Sequence, residues 1–230
     1  MKIIFIIISL AMLSCNQADK VEGNMLNNSI SFSPDLQQYI IKVKNNFSSI
    51  NEERKKQLLE LSNYLKNDNS SKLTFICTHN SRRSHMAQIW AATAAAYYGL
   101  KNVETYSGGT ESTAFNPRAV AAIERAGFNI QKGPGENPKY QVSFHNSAKP
   151  MICFSKKYDD DFNPSENFVA IMTCSQADEA CPYVAGAKQR FSIPYEDPKV
   201  ADNTPKEKAK YDERCLQIAT EMFFVFDNVN

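Results

Sequence analysis

The chain has 230 residues, 43% of them hydrophobic, and a formal net charge of +1 at pH 7. This length allows one good-sized domain with an added segment. The near-neutral charge excludes the polybasic surface with which proteins bind nucleic acid, so no nucleic-acid partner is expected.

The N-terminus begins with Lys2, an apolar run over residues 3–13, and Ser14-Cys15. The run is shorter than the ~20 residues of a membrane-spanning helix, and its pattern is typical of a secretory signal peptide. A small residue before Cys15 resembles the lipobox of bacterial lipoproteins. The resemblance implies export, with a lipid on Cys15 anchoring the protein to a periplasm-facing membrane surface. The alternative is translation from Met25, which gives a cytoplasmic protein.

The rest of the N-terminal part is divided by composition. Residues 1–15 are predicted to be the signal peptide, and the polar stretch 16–32 a tether. Ser33-Pro34 predicts a helix start, so residues 33–70 are predicted to be a helical extension, with helices over 35–46 and 52–65. Residues 71–230 are predicted to form the main domain.

Strand and helix patterns alternate in that domain. The predicted strands are "KLTFIC", "VETYS", "FVAIMTC" and "RFSIP", and "YQVSF" with "KPMICFS" is predicted to be a hairpin or strand pair. The predicted helices are "SHMAQIWAATAAAYYGL", "RAVAAIERAGF" and "PKEKAKYDERCLQIATEMFFVF". This alternation predicts an α/β fold, a parallel sheet flanked by helices on both faces.

The first of these strands ends in a cysteine, within "LTFICTHNSRRSHMAQ". Cys77 is followed by five residues and then by Arg83 at the start of a helix. A loop between a strand and a helix can present several N–H groups to one point, where the helix N-terminus adds positive potential. Arg83 can grip two oxygens of a tetrahedral anion, and Cys77 is then a nucleophile aimed at that anion. The alternative is a buried strand cysteine and a surface arginine.

The remaining loop residues are predicted to bind the oxyanion. Ser84 is expected to donate a hydrogen bond to the thiolate, and Asn80 suits a tight loop because asparagine tolerates left-handed backbone angles. The predicted oxyanion-binding residues are Thr78, His79, Asn80, Ser81, Arg82 and Ser84.

The sequence "CTHNSRRS" resembles the signature loop of the low-molecular-weight protein tyrosine phosphatases. It equally resembles that of their relatives, the thioredoxin-coupled arsenate reductases, and the similarity continues in "YSGGTEST.FNPRAVAAIERAGF" and "YEDP". The resemblance implies the low-molecular-weight phosphatase fold, an arsenate or phosphate-ester substrate, and Asp197 as general acid. No cofactor is expected. No metal is expected either, because His85 and His145 lack partners at metal-ligand spacing.

Five cysteines follow Cys15, an odd number that argues against a purely structural disulfide framework. In "IMTCSQADEACPY", Cys174 closes an apolar run and Cys181 lies seven residues on. The resemblance implies that these two form the redox pair of an arsenate reductase, served by a thioredoxin-like reductant. The alternative is a static disulfide. Cys153 and Cys215 lie on apolar patterns and are predicted to be core thiols.

The seven-residue spacing of Cys174 and Cys181 limits the conformations in which they can form a disulfide. Seven helical residues span about 10.5 Å, and a disulfide needs Cα atoms within roughly 7 Å. A helix between the two cysteines must therefore unwind on oxidation.

Three functions are compatible with these sequence features. The first is an arsenate reductase, and the second is a phosphatase acting on phosphotyrosine or aryl phosphates through a cysteinyl-phosphate. The third is an oxyanion-binding module without turnover. Many phosphatases of the family place aromatics after the Asp-Pro pair, where this chain has Lys199 and Val200, and this favours the reductase.

Overall fold

The computed structural model of the chain describes residues 31–68, 71–145 and 149–229. The predicted signal peptide, Cys15 and most of the predicted tether lie outside these residues. Within the described ranges, no helix combines the length and apolarity needed to cross a membrane.

Two capped helices open the described part. The helix α1 (Pro34–Asn45) begins where the Ser33 hydroxyl accepts from a backbone N–H of the first turn. The helix α2 (Glu52–Lys66) begins in the same way at Asn51, and a short 3-10 helix joins the two. Side-chain caps of this kind satisfy N–H groups that have no intrahelical partner. Both predicted helices are confirmed, with bounds within one residue of the prediction.

These helices share the core of the domain. Their buried apolar residues belong to the same hydrophobic cluster as strand residues such as Leu73 and Phe75. They are Leu36, Ile40, Val43, Leu58, Leu61 and Leu65. The segment predicted to be an extension is therefore packed as an integral layer of the domain.

Seven strands and four further helices follow in the described residues. The strands are β1 (Ser71–Cys77), β2 (Val103–Gly109), β3 (Asn129–Lys132), β4 (Tyr140–Ser143), β5 (Met151–Cys153), β6 (Phe168–Met172) and β7 (Ala187–Ser192). The helices are α3 (Arg83–Tyr97), α4 (Pro117–Arg125), α5 (Ser175–Ala180) and α6 (Glu207–Asp227).

The central sheet has the order β2-β1-β6-β7 with every pair parallel, as predicted. Successive side chains of a strand point to opposite faces, and the sheet accordingly has two cores. Leu73 and Phe75 of β1 join the larger core, which contains residues from α1, α2, α3, α4 and α6. Ile76, whose side chain points to the opposite face, joins a smaller core with Cys174 and Ala177 at α5, and Cys77 at the end of the strand belongs to the same cluster.

A second, antiparallel sheet has the order β3-β4-β5. The pairing of β4 with β5 confirms the predicted strand pair. The strand β3 was missed by the sequence prediction, because "NIQK" has no buried residue and hence no apolar alternation.

Candidate active site

Cys77 is the last residue of β1, and α3 begins at Arg83, so the predicted loop spans residues 78–82. The carboxyl ends of parallel strands are the usual binding edge of such sheets. Cys77 has 3% of its surface exposed. The thiol thus lies at the base of the loop.

The loop uses its carbonyl groups, but not its N–H groups, in hydrogen bonds with the rest of the described chain. Its carbonyls, with that of Cys77, accept hydrogen bonds from the segments that surround it. The pairs are Thr110 N to Cys77 O (3.2 Å), Glu111 N to Thr78 O (2.8 Å), Ser155 Oγ to His79 O (2.8 Å) and Asn116 N to Ser81 O (2.9 Å). No N–H group of residues 78–82 finds an acceptor within the described residues. The loop can therefore donate to an anion, as the sequence predicted.

Two residues allow the chain to take this path. Asn80 has φ of +44°, in the left-handed region that asparagine tolerates, as predicted. Gly109 at the end of β2 passes so close that a Cβ there would lie 2.6 Å from Thr78 O and 2.7 Å from Asn80 N. Any larger residue at position 109 would displace the loop.

A chain of hydrogen bonds runs from the backbone to the sulfur. Lys156 N donates to Asn80 Oδ1 at 3.0 Å, which fixes the orientation of the amide. Asn80 Nδ2 then donates to Ser84 Oγ at 2.8 Å. Ser84 Oγ lies 3.1 Å from Cys77 Sγ, and because this oxygen already accepts from Asn80, its hydrogen is left for the sulfur. The Cys77 sulfur thus has a directed hydrogen-bond donor in Ser84 Oγ.

Arg83 is buried beside the loop. Its Nη1 donates to Tyr195 O at 2.9 Å and its Nη2 to Asp197 Oδ2 at 2.8 Å. Its Nε is buried and has no partner in the described part of the chain. The guanidinium is thus held by two hydrogen bonds, and its Nε–H is still available to an oxyanion.

Asp197 caps the short 3-10 helix Pro198–Ala201, with its Oδ1 accepting from Lys199 N at 3.0 Å. Its side chain is 30% exposed. The structure thus joins Asp197, distant in sequence, to Arg83. A partly exposed carboxyl at this place is suited to give a proton to a departing oxygen.

The side chains of His79 and Arg82 do not turn into the loop. His79 Nε2 lies 3.4 Å from Glu111 Oε2, and the imidazole is 47% exposed. Arg82 Nε donates to Tyr211 Oη at 2.8 Å, and its Nη2 to Asp202 at 3.4 Å. Arg82 Nε also lies 3.8 Å from Asp197 Oδ1. Oxyanion binding by His79 and Arg82 stays a prediction, and it would use their backbone N–H groups.

Thr78 and Ser81 also use their side chains elsewhere. Ser81 Oγ donates to Ala114 O at 2.7 Å. Thr78 Oγ1 lies 3.5 Å from Cys174 Sγ. Of the six predicted oxyanion-binding residues, Asn80 and Ser84 thus use their side chains in the hydrogen-bond chain that ends at the Cys77 sulfur. The side chains of the other four contact other parts of the described chain, so their backbone N–H groups are the predicted donors to an oxyanion.

The contact with Thr78 places Cys174 next to the residue that follows the proposed nucleophile. Cys174 is fully buried and caps α5, its Sγ accepting from Ala177 N at 3.4 Å. Cys181 ends α5 and is partly exposed. Both thiols are free, and the predicted helix lies between them.

A polar clamp from β7 holds α5 in place. Arg190 Nη2 donates to Asp178 O at 2.8 Å and its Nε to Cys181 O at 3.2 Å, while its guanidinium also pairs with the Asp178 carboxylate. Ser192 Oγ donates to the same carboxylate at 2.6 Å. These bonds resist the unwinding that a Cys174–Cys181 disulfide requires.

The other thiols and the histidine of α3 are buried away from this chemistry. Cys153 and Cys215 are core thiols, as predicted, and burial raises the pKa of Cys153 to about 12 and that of Cys215 to about 11. Burial, and secondarily the Lys156 ammonium, lowers the pKa of His85 well below its usual value. His85 therefore stays neutral, with its Nδ1 3.1 Å from Ser107 Oγ. The described residues contain no group of three or more His, Cys, Asp or Glu able to hold a metal ion.

Sequence reasoning missed groups that act through the backbone. The carbonyl of Tyr195 and the N–H of Lys156 carry no side-chain signal, and only the fold brings them to the loop. Arg190 carried no distinguishing signal, because β7 also contains Lys188 and the partner of Arg190 is not visible from spacing.

A family model described as low molecular weight phosphotyrosine protein phosphatase matches residues 72–142. The arsenate reductase of Bacillus cereus is 31% identical over 133 residues, which cover 57% of this chain and 79% of that protein. The arsenate reductase of Halalkalibacterium halodurans is 27% identical over 140 residues, covering 61% of this chain and 83% of that protein. A crystal structure of a low-molecular-weight phosphotyrosine phosphatase from Vibrio cholerae superposes with a TM-score of 0.48 at 15% identity, covering 69% of this chain and 95% of that one.

Proposed function

The chain belongs to the low-molecular-weight phosphotyrosine protein phosphatase family, and we propose that it is an arsenate reductase with Cys77 as nucleophile. The observation that carries the proposal is the position of Cys174, whose sulfur lies 3.5 Å from Thr78 Oγ1, directly beside the loop. Hydrolysis of a phosphate ester does not require a second thiol there, whereas reduction of arsenate does. Matches to relatives named arsenate reductase support the same choice.

The first step is the attack of the Cys77 thiolate on arsenic(V). The loop N–H groups and Arg83 hold the arsenate oxygens, and Ser84 sets the sulfur in place. A sulfur–arsenic bond forms as an arsenic–oxygen bond breaks, and Asp197 gives its proton to the departing oxygen, which leaves as water.

The second step transfers two electrons to arsenic. Cys174 attacks the sulfur of Cys77, so a Cys77–Cys174 disulfide forms and the electron pair of the sulfur–arsenic bond passes to arsenic. Arsenic(V) becomes arsenite, and two thiols become one disulfide.

The third step moves the disulfide away from the loop. Cys181 attacks Cys174 and releases Cys77 as a thiolate. Helix α5 is about 9 Å long, so it must unwind before the two sulfurs can bond. A dithiol reductant of thioredoxin type then attacks the Cys174–Cys181 disulfide at the partly exposed Cys181.

The alternative activity, hydrolysis of phosphotyrosine or aryl phosphates, needs only Cys77, Arg83 and Asp197. It also calls for an aromatic surface to hold the phenyl group. The two rings near Asp197 in sequence are engaged elsewhere, because the Tyr195 ring lies under Arg54 at 5.0 Å and the Phe191 ring packs against Tyr64 at 5.6 Å. This favours the reductase.

The proposal is tested by two assays on purified protein: arsenate with thioredoxin and its reductase, and an aryl phosphate without reductant. We expect turnover of arsenate that is lost in Cys174→Ser and kept in Cys153→Ala, which removes a buried core thiol instead. Hydrolysis of the aryl phosphate without arsenate reduction would establish the phosphatase. Phosphate binding with turnover of neither substrate would establish a binding module.

Export is a separate proposal that rests on the sequence of residues 1–15. We expect mature protein from a bacterial host to begin at Cys15 and to carry lipid. Intact-mass spectrometry of the membrane fraction measures this directly. A soluble, unprocessed chain beginning at Met1 or Met25 would contradict it.

A further inference from the structure

Helix α2 reaches the candidate site through one side chain. Arg54 lies outside the residues matched by the family model, yet its Nη2 donates to Pro194 O at 3.1 Å. Its guanidinium also pairs with Glu221 of α6, with Nη2 at 2.8 Å and Nε at 2.9 Å from Oε2. One arginine therefore ties α2, α6 and the segment before Asp197 together.

That segment contains the proposed general acid, Asp197, and a carbonyl group that binds Arg83. The residue after Pro194 is Tyr195, whose ring lies under the Arg54 guanidinium and whose carbonyl accepts from Arg83 Nη1 at 2.9 Å. Two residues later, Asp197 accepts from Arg83 Nη2 at 2.8 Å. Arg54 thus fixes a short backbone segment from one side, while Arg83 binds the same segment from the other.

The Arg54 contacts are largely shielded from solvent. The side chain of Arg54 is 13% exposed and that of Glu221 is 4% exposed. Hydrogen bonds of ionised groups are stronger and more directional there than at the surface. The planar fork of an arginine serves a carboxylate and a carbonyl at once, which a lysine ammonium does with poorer geometry.

We propose that Arg54 is a positioning residue, through which the N-terminal helices set the place of Arg83 and of the Asp197 segment. The inference rests on the proposed role of Arg83 in holding the oxyanion. It adds that the N-terminal helices, besides filling the core, support the affinity of the loop for oxyanions.

The test removes the Arg54–Glu221 ion pair without leaving an unpaired buried charge. Arg54→Met by itself leaves the Glu221 carboxylate without its charged partner, and a buried unpaired charge destabilises the fold strongly. The double variant Arg54→Met/Glu221→Met removes both charges and keeps the volume of the side chains. The matched control is Arg125→Met/Asp212→Met, which removes an arginine–aspartate pair between α4 and α6 that does not touch residues 194–197.

The readout is the protection that inorganic phosphate gives Cys77 against alkylation, measured by peptide mapping. The measurement is made at a temperature where circular dichroism shows that each variant is folded. We expect the half-protecting phosphate concentration to rise about tenfold in the Arg54/Glu221 variant, as for the weakening of one hydrogen bond to a charged group. In the control we expect a change below about twofold, as for a surface pair. A merely structural role would lower the melting temperature and leave phosphate protection unchanged.

Two results would overturn the inference, and they differ. If phosphate protects the wild type and the Arg54/Glu221 variant equally well, Arg54 does not position Arg83, while the proposed function stands. If phosphate fails to protect even the wild type, the oxyanion loop itself is refuted and the inference with it.

Discussion

Arg83 Nη2 donates to Asp197 Oδ2 at 2.8 Å, so the proposed anion-binding group and the proposed general acid are bonded to each other. An oxyanion held by the remaining N–H groups of Arg83 shares this guanidinium with Asp197. Binding and protonation are thereby coupled, because the negative charge of the bound anion beside the carboxyl group favours uptake of the proton that Asp197 later donates.

This pairing predicts opposite effects of Asp197→Asn on binding and on turnover. Turnover of arsenate is expected to fall by about 10²- to 10³-fold, because the departing oxygen loses its proton donor. Phosphate is expected to bind more tightly, because a negative charge beside the site is gone. Steady-state kinetics and phosphate inhibition measure the two effects, and a variant with weaker phosphate binding would contradict the assignment.

Arg83→Lys is expected to weaken phosphate binding about tenfold or more. A lysine keeps the charge but cannot bond Tyr195 O, Asp197 and an oxyanion together. The half-protecting phosphate concentration for Cys77 measures the loss. Arg125→Lys, which changes the pair between α4 and Asp212 of α6, serves as control and should leave that concentration unchanged.

Much of the fold was predictable, because its signals are local. The caps at Ser33 and Asn116, the apolar run of β6 and the helices around them follow from side chains near in sequence. The strand β3 was not predictable, since its side chains are exposed and its pairing with β4 decides its conformation.

The site was predictable where one short segment carries it. Cys77, Asn80, Arg83 and Ser84 lie within eight residues, and their spacing predicted the loop. The direction of Arg82 was not predictable, because Tyr211 and Asp202, which hold it, lie over 100 residues away. Likewise Arg54 has no motif, and its role depends on the packing of three distant segments.

Cys77 is expected to react with iodoacetamide at pH 7 much faster than the two core thiols. Burial raises the pKa of Cys153 to about 12 and that of Cys215 to about 11, so both thiols remain protonated at pH 7 and are inaccessible to the reagent. Cys77 has Ser84 Oγ at 3.1 Å and the loop N–H groups around it. Time-resolved peptide mapping measures the three rates, and equal rates would refute the activation of Cys77.

Lys156 predicts a pH dependence of stability. Burial lowers the pKa of its ammonium to about 8, against the weaker opposing effects of Cys153 and Asp160. The charge of the ammonium in turn contributes to the lowered pKa of His85. Between about pH 8 and the ordinary lysine pKa near 10.4, the unfolded chain holds a proton that the folded chain has lost. The free energy of unfolding therefore rises with pH across this window.

Lys156→Met removes the cost of burying the charge and keeps the backbone bond to Asn80. We expect the variant to gain about 1 to 3 kcal/mol in free energy of unfolding at pH 7. The gain should shrink as the pH rises from 8 to 10.5. Urea unfolding at several pH values measures this, and a gain that is constant with pH would show that the ammonium is not the cause.

The central claim is that Cys77 and Cys174 together reduce arsenate, and a single turnover of Cys181→Ser tests it most directly. This variant keeps the first two thiols and lacks the third, so the relay must stop at its first disulfide. Incubated with arsenate and no reductant, it is predicted to yield one arsenite per protein and a Cys77–Cys174 disulfide in the peptide map. No arsenite and two free thiols after the same incubation would contradict the account.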